Sequence, residues 1–247
     1  SPGQVVLHDA GWRTHAVLPG GATRGVDATG VSPSAYLGVL GMPGLTAYAG
    51  LLRAAEFRSG DRVLVSAAAG AVGSLVGQLA RLRGASLVVG SAGSADKVAW
   101  LREEAGFDAA FDYKTMPFAM GVRLSLPDGI DVYFDNVGGD QLQVALSNMR
   151  EGGRIAVCGM ISGYNATAAQ PGPRNLALLI TRRLTMRGFI VYDHEDLRPQ
   201  FETEVGAWFR EGRIAWRESV FEGIELAFTA FTDLMSGRTS GKTIVRV

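Results

Sequence analysis

The 247-residue sequence predicts an α/β fold built on a doubly wound parallel sheet. Strand-like apolar runs alternate with helix-period segments through the middle of the chain. A small-residue turn joins the first of these strands to the first helix. Each helical crossover is long enough to return the chain to the same end of a parallel sheet, the pattern that covers such a sheet on both faces.

The elements follow in order. Residues 61–66 form a short apolar run ending in small residues, and residues 71–83 read as a helix, with Val72, Leu75, Val76, Leu79 and Leu82 at helical spacing and Gly84 as its stop. Residues 86–90 make a second strand, 95–105 a helix stopped by Gly106, and 109–113 a third strand. Prolines and Gly121 leave 115–126 undecided between helix and loop. A fourth strand at 130–135, a helix at 140–149, a fifth strand at 154–158, a helix near 175–183 and a sixth strand at 184–191 complete the sheet. The flanks differ. Residues 1–35 are turn-rich with strand-like pieces such as 12–18, and residues 197–247 hold helical stretches at 198–210 and 224–235 before a closing strand at 242–247. The expected division is a nucleotide-binding domain over 40–196, with 1–39 and 197–247 forming a smaller region that looks incomplete.

Composition narrows the function. Lys+Arg and Asp+Glu both number 24, so no broad basic face invites nucleic acid. The single cysteine, Cys158, excludes an internal disulfide, and His8, His15 and His194 offer no spaced ligand set, so no metal is expected. No apolar run reaches the ~18 residues of a membrane span, and residues 1–4 do not open a secretory signal. The expectation is a metal-free, cytoplasmic protein.

The turn Ala67-Ala68-Ala69-Gly70-Ala71-Val72-Gly73 has dinucleotide-binding spacing, with Ala68 in the first glycine slot and Gly70 and Gly73 in the next two. A side chain at Gly70 would hold a pyrophosphate away from the N–H groups and positive dipole end of the helix, and Gly73 lets the helix lie close to the strand, a closeness that Gly77 is expected to extend. The motif alone is weak. Between a strand and a helix within repeated βα units it is strong, and it identifies a Rossmann sheet.

The second strand end distinguishes the coenzymes. An NAD site usually places Asp or Glu about 20 residues beyond the turn, on the ribose 2′-hydroxyl. Here Val89-Gly90-Ser91-Ala92-Gly93-Ser94 carries no acid, and Asp96 comes too late, while Lys97 can meet a 2′-phosphate. NADP(H) is therefore expected. The bland alternative for Lys97 is an exposed helix lysine.

Six segments together resemble the prostaglandin reductase, leukotriene B4 12-hydroxydehydrogenase and 2-alkenal reductase branch of the zinc-independent medium-chain dehydrogenases/reductases. They are Gly41-Met42-Pro43-Gly44-Leu45-Thr46-Ala47-Tyr48, residues 66–73, Tyr133-Phe134-Asp135-Asn136-Val137-Gly138-Gly139, Cys158-Gly159-Met160-Ile161-Ser162-Gly163-Tyr164-Asn165, Gly188-Phe189-Ile190-Val191 and Gly241-Lys242-Thr243-Ile244-Val245. They run in order through essentially the whole chain. The resemblance implies NADPH-dependent reduction of the carbon–carbon double bond in enones and enals, with hydride going to the β-carbon and Tyr164 stabilising the enolate oxygen.

For the cofactor the resemblance implies Ala69, Gly70, Ala71, Val72 and Gly73 at the pyrophosphate, and Gly90, Ser91, Lys97 and Tyr113 around the ribose phosphate. Asn136, Cys158, Gly159, Ile161, Ser162 and Tyr164 would lie along the nicotinamide side, with Met42 and Thr46 opposite. Phe189, Ile190 and Val191 would border the substrate, and Thr239 and Gly241 would close the site. Two departures stand out. The family's barrel-like, GroES-like catalytic domain is only partial here, truncated at its N-terminal side, as in a fragment or a short natural form. Thr239 also occupies a position usually held by Asn, and its shorter reach should weaken cofactor binding.

Other residues have blander readings. Cys158 lacks a nearby base to form a thiolate and reads as a small strand-end residue. His194 reads as a solvated loop histidine, and Trp100, Phe201, Trp208, Phe209, Phe228 and Phe231 as packing. Asp135 reads as a positioner of backbone at the strand end. A quinone oxidoreductase of the same superfamily, or a non-catalytic NADPH-binding module, are the competing functions. Methyltransferases want an acid at the second strand end, and short-chain dehydrogenases a Tyr-x3-Lys pair, neither of which is present. A homodimer formed along the sheet edge is implied by resemblance.

Overall fold

The computed structural model describes residues Ser1–Val247. Two short strands, β1 (Val6–Leu7) and β2 (Arg24–Gly25), pair antiparallel ahead of the main sheet. Helix α1 (Met42–Ala49) runs into a π turn at Gly50–Ala54. The central region then alternates β3 (Arg62–Val65), α2 (Gly73–Leu82), β4 (Leu87–Ala92), α3 (Ala95–Glu103), β5 (Ala109–Asp112), α4 (Phe118–Ser125), β6 (Ile130–Asp135), α5 (Gly139–Asn148), β7 (Met149–Val157), α6 (Leu178–Thr181) and β8 (Thr185–Gly188). Helix α7 (Arg198–Arg210), β9 (Glu218–Glu222), α8 (Ala227–Met235) and β10 (Lys242–Arg246) follow.

The six central strands form one parallel sheet in the order β5-β4-β3-β6-β7-β8. The chain winds outward from β3 to β5, then crosses back to β6 and winds the other way. That reversal opens a crevice at the carboxyl ends of β3 and β6, where doubly wound sheets bind ligands. Alternate side chains feed two cores, as the two-residue strand period requires. Val63, Val65, Val88 and Val132 join the larger cluster with α1, α2 and α7, whereas Leu64, Val89, Tyr133 and Ile155 pack with α4 and α5.

Two polar networks brace the scaffold. Arg154 pairs with Asp61 and donates to the carbonyls of Ala55 and Glu56, tying β7 to the end of the π turn, with both charged side chains only 10% exposed. Breaking such a pair from one side leaves a buried charge uncompensated. Arg83 pairs with Glu204, and the Tyr48 hydroxyl donates to that same carboxylate at 2.6 Å, joining α1 to α7. Burial, followed by the Glu204 carboxylate, pushes the Tyr48 hydroxyl up to about 12.

Several sequence expectations change. Residues 12–18 are not a strand, and the N-terminal pairing lies at Val6–Leu7 and Arg24–Gly25 instead. The helix near 175–183 shrinks to Leu178–Thr181, and the undecided 115–126 segment folds as α4. The helix after the small-residue turn begins at Gly73 rather than residue 71. Gly77 accommodates the Phe107 ring rather than strand backbone: an added Cβ would lie 2.0 Å from Phe107 Cζ. Phe228 is 70% exposed and so is not a packing residue, because it lies on the open side of α8. His194 is half-buried against the Phe189 ring, with centroids 6.1 Å apart, and is not freely solvated. β9 is a further strand, parallel to β10, and α1 a further helix.

Candidate functional site

The crevice starts at the β3 end. Ala67 turns the chain with φ +46°, and the Gly70 amide donates to the Ala67 carbonyl at 3.1 Å. A Cβ on Gly73 would lie 2.6 Å from Ala67 O and 2.9 Å from Ala68 Cα, so backbone blocks any side chain there. Gly70 is less confined, its nearest neighbour being Ala67 O at 3.3 Å, and it faces open space. Helix α2 then starts with no side-chain cap. An uncapped helix start behind an open glycine presents N–H groups to an anion.

The C-terminal segment closes this turn from a distance. The Gly241 amide donates to Ala69 O at 2.8 Å, and Gly70 and Gly241 form an isolated parallel bridge. Residues between α8 and β10 therefore border the crevice. The resulting cleft of about 500 Å³ is lined by Ala69, Gly70, Gly93, Lys97, Tyr113, Lys114, Val137, Gly138, Ile161, Ser162, Thr239 and Gly241, among others.

At the β4–β5 end of the cleft, two cations face a phenol. Lys97 donates from Nζ to Gly237 O at 2.7 Å, so it is not the free surface lysine of the bland reading. Burial, then Lys114, holds its ammonium below the usual lysine range. Burial, then Asp112, raises the Tyr113 hydroxyl. A cation whose charge is disfavoured by a neighbouring cation gains when an anion arrives. The β4 end itself offers no carboxylate, though Asp140 lines the cleft at the start of α5.

The opposite wall comes from the ends of β6 and β7. Asn136 donates from Nδ2 to Ser66 O at 2.8 Å, fixing its amide against β3. The loop after β7 makes a single 3-10 turn at Ile161–Gly163 and delivers Tyr164, which is 61% exposed. The Tyr164 hydroxyl folds back to accept from the Met160 amide at 3.4 Å. Burial, then Asp135, pushes the Cys158 thiol up to about 12, which makes it a poor nucleophile.

A family model described as zinc-binding dehydrogenase matches residues 71–205. The 2-alkenal reductase (NADP(+)-dependent) of Nicotiana tabacum is 44% identical over 99% of this chain and 71% of its own length. The chain belongs to the medium-chain dehydrogenase/reductase family. Within it, this chain falls in the prostaglandin reductase and alkenal reductase branch: prostaglandin reductase 1 of Bos taurus is 45% identical over 99% of this chain and 75% of its own length. A crystal structure of CurA in complex with NADPH from Vibrio vulnificus superposes with a TM-score of 0.92 at 38% identity, covering 99% of this chain and 74% of that one. The family model's description names zinc, yet no three His, Cys, Asp or Glu side chains of this reductase converge as a ligand group.

The fold of this medium-chain reductase gathers some of the sequence-predicted residues and disperses others. Ala69, Gly70, Lys97, Tyr113, Ile161, Ser162, Thr239 and Gly241 share the cleft. Ala71, Val72 and Gly73 form the turn behind it. Gly90 is flanked by Ala68 Cβ and the Phe107 ring, and a Cβ there would lie 2.8 Å from the former. Ser91 is fully buried and donates to Gln141 Oε1 at 3.5 Å, directly behind the cleft lining. The Thr46 hydroxyl donates to Met42 O at 2.8 Å, and Met42 is exposed at the start of α1. Asn136, Cys158, Gly159 and Tyr164 border the β6–β7 side. Phe189 packs on Phe134 and Gly50, Val191 is buried and Ile190 is exposed, outside the cleft lining. Lys114, Gly138 and Met235–Gly237 belong to the lining but were not anticipated. Lys114 directly follows Tyr113, so a strand-end search for a second cation could have found it. The 235–237 segment gives no local signal, because only the Ala69–Gly241 contact brings it near.

Proposed function

We propose that this chain uses NADPH to reduce the carbon–carbon double bond of α,β-unsaturated ketones and aldehydes. One observation carries the reading: at the β3–β6 switch point an open glycine turn shares a cleft with two lysines and a tyrosine, and the β4 end beside them bears no acid. That donor set fits a coenzyme with an extra phosphate. The Gly70–Gly73 turn would take the pyrophosphate and Lys97, Tyr113 and Lys114 the 2′-phosphate. Thr239 and Gly241 would bound the coenzyme from the C-terminal side. Relatives named as NADP-dependent 2-alkenal reductase and (+)-pulegone reductase support both coenzyme and substrate class.

The bound coenzyme supplies hydride. The chain's own residues handle orientation and charge. Tyr164 would be the donor for the oxygen that becomes negative as an enone is reduced, a role supported by its exposed side chain just after the 161–163 turn. Phe189, held by Phe134 and Gly50, would form an apolar border to the substrate, and Met42 is exposed at the start of α1.

We also propose the domain division 40–196 against 1–39 with 197–247, supported by the main sheet lying wholly within the first range and β9–β10 within the second. A homodimer paired along β8 is proposed on the exposure of all four residues of that edge strand. Solved quinone oxidoreductases share the fold at 24% and 21% identity, which bears on architecture alone.

The experiment is NADPH oxidation by the purified chain against a panel of enals, enones and quinones. Consumption with enals or enones, and formation of the saturated carbonyl product, is expected. Consumption with quinones alone would replace the reading with a quinone reductase. Binding without any turnover would leave a coenzyme-binding module.

A further inference from the structure

We propose that Asp135 is the positioning residue of this site: from the end of β6 its carboxylate sets the 136–138 turn, and through that turn it sets the loop carrying Tyr164. The inference rests on the functional reading above for its catalytic part only.

One carboxylate oxygen gathers four donors. Asp135 Oδ1 accepts from the Tyr133 hydroxyl at 2.8 Å, the Ser66 hydroxyl at 3.2 Å, and the amides of Val137 and Gly138, both at 2.9 Å. The residue is fully buried, and its Oδ2 has no partner at all. A buried unpartnered carboxylate oxygen is costly. Such an atom in a strand core calls for a compensating task, and its partners identify one. Two of the four donors are the backbone of a turn that lines the cofactor cleft.

The turn in turn holds the loop. Asp135 O accepts from the amides of Cys158 and Gly159 at 2.8 and 3.1 Å, and Asn136 O from Ile161 at 3.3 Å. Val137 O accepts twice from Ser162, from its amide at 3.1 Å and its hydroxyl at 2.6 Å. The loop then fixes the tyrosine, whose amide donates to Ile161 O at 3.2 Å. Ser66 adds a link across the switch point, since its hydroxyl accepts from the Asn136 amide at 2.9 Å while it sits at the end of β3. The carboxylate thus couples both halves of the sheet to the Tyr164 loop, whereas the phosphate-facing Lys97, at the start of α3, and Tyr113 and Lys114, just after β5, lie outside this chain of bonds.

The test compares Asp135→Ala and Asp135→Asn by amide hydrogen exchange and steady-state kinetics on the full chain. In Asp135→Ala, exchange over 136–138 and 158–164 should accelerate about tenfold or more, the scale of losing a charged hydrogen bond, while 62–66 and 87–97 stay protected. With an enone substrate, kcat should fall about tenfold or more from the displaced loop, with KM for NADPH changing less than about threefold. Asp135→Asn keeps an accepting oxygen and should return both readouts to within about threefold of the parent. Wild-type exchange over 158–164 in Asp135→Ala would overturn the proposal. Exchange rising uniformly across the sheet, or no rescue by Asn, would also overturn it. If Asp135→Ala fails to fold, Ser66→Ala should accelerate exchange at 136–138 first, and unchanged exchange there refutes the link. A parent protein that turns over no enone defeats the functional reading, while the exchange pattern still decides the positioning.

Discussion

Replacing Gly241 with alanine tests how the C-terminal strand serves the glycine turn. Gly241 has φ +64°, where an alanine costs about 1 kcal/mol or somewhat more from its Cβ. The new Cβ would also fall 1.8 Å from Arg217 O, a backbone atom that no rotamer change can remove. The chain must therefore shift at a point held on both sides: the Gly241 amide donates to Ala69 O at 2.8 Å, and the Lys242 amide to Arg217 O at 2.9 Å. Losing one such bond adds about 1 kcal/mol. Gly241→Ala should thus destabilise by about 2–4 kcal/mol, read as a lower urea midpoint with an unchanged slope. NADPH titration should show weaker binding as well, because Ala69 and Gly70 lose their brace. A loss below about 0.5 kcal/mol, the range of ordinary surface substitutions, together with unchanged NADPH affinity, would refute the idea that this contact closes the site.

Three further outcomes are expected. Lys97→Ala should weaken NADPH binding about 10–100-fold, the scale of a charge-assisted phosphate contact, and leave NADH binding unchanged; equal losses for both in fluorescence titrations would move the 2′-phosphate elsewhere. Tyr164→Phe should lower kcat with an enone about 10–1,000-fold, the range for removing one oxyanion donor, without changing the NADPH dissociation constant; an unchanged rate would remove the hydroxyl from catalysis. The Tyr48 and Cys158 protons, ordinarily lost near 10.0 and 9.0, are both held up to about 12. Below pH 9 neither group changes stability with pH. Between about 9 and 12 the unfolded chain loses these protons first, so stability should decline. Urea midpoints measured against pH check this, and Tyr48→Phe with Cys158→Ala should flatten the decline.

The sheet was legible because parallel strands buried on both faces appear in sequence as short, dense apolar runs such as Val63-Leu64-Val65 and Val88-Val89. Helix α1 was not, since seven of its eight residues are buried and it has no polar face to create a period, while Pro43 and Gly44 are poor helix formers. β9 escaped for the opposite reason: none of its residues is fully buried, and Glu218 and Glu222 flank a weak apolar centre. In the site, the glycine turn and Lys97 could be read from local spacing. Gly90 and Ser91 point to opposite faces of β4 and meet Phe107 and Gln141, neighbours that lie far along the chain and leave no local signal. Residues 235–237 depend on a contact far along the chain, and no local pattern encodes such a closure.

The bond from Gly241 to Ala69 spans most of the sequence, with consequences for the order in which the molecule matures. During synthesis β3 and α2 can meet soon after they emerge, but the small-residue loop between them stays half-fastened until the final strand has been made and docked. Contacts of such long range form late and slowly. A ribosome stalled after α8 would therefore display a finished sheet that grips its nucleotide poorly, and adding the last strand would turn a pre-assembled scaffold into a competent one.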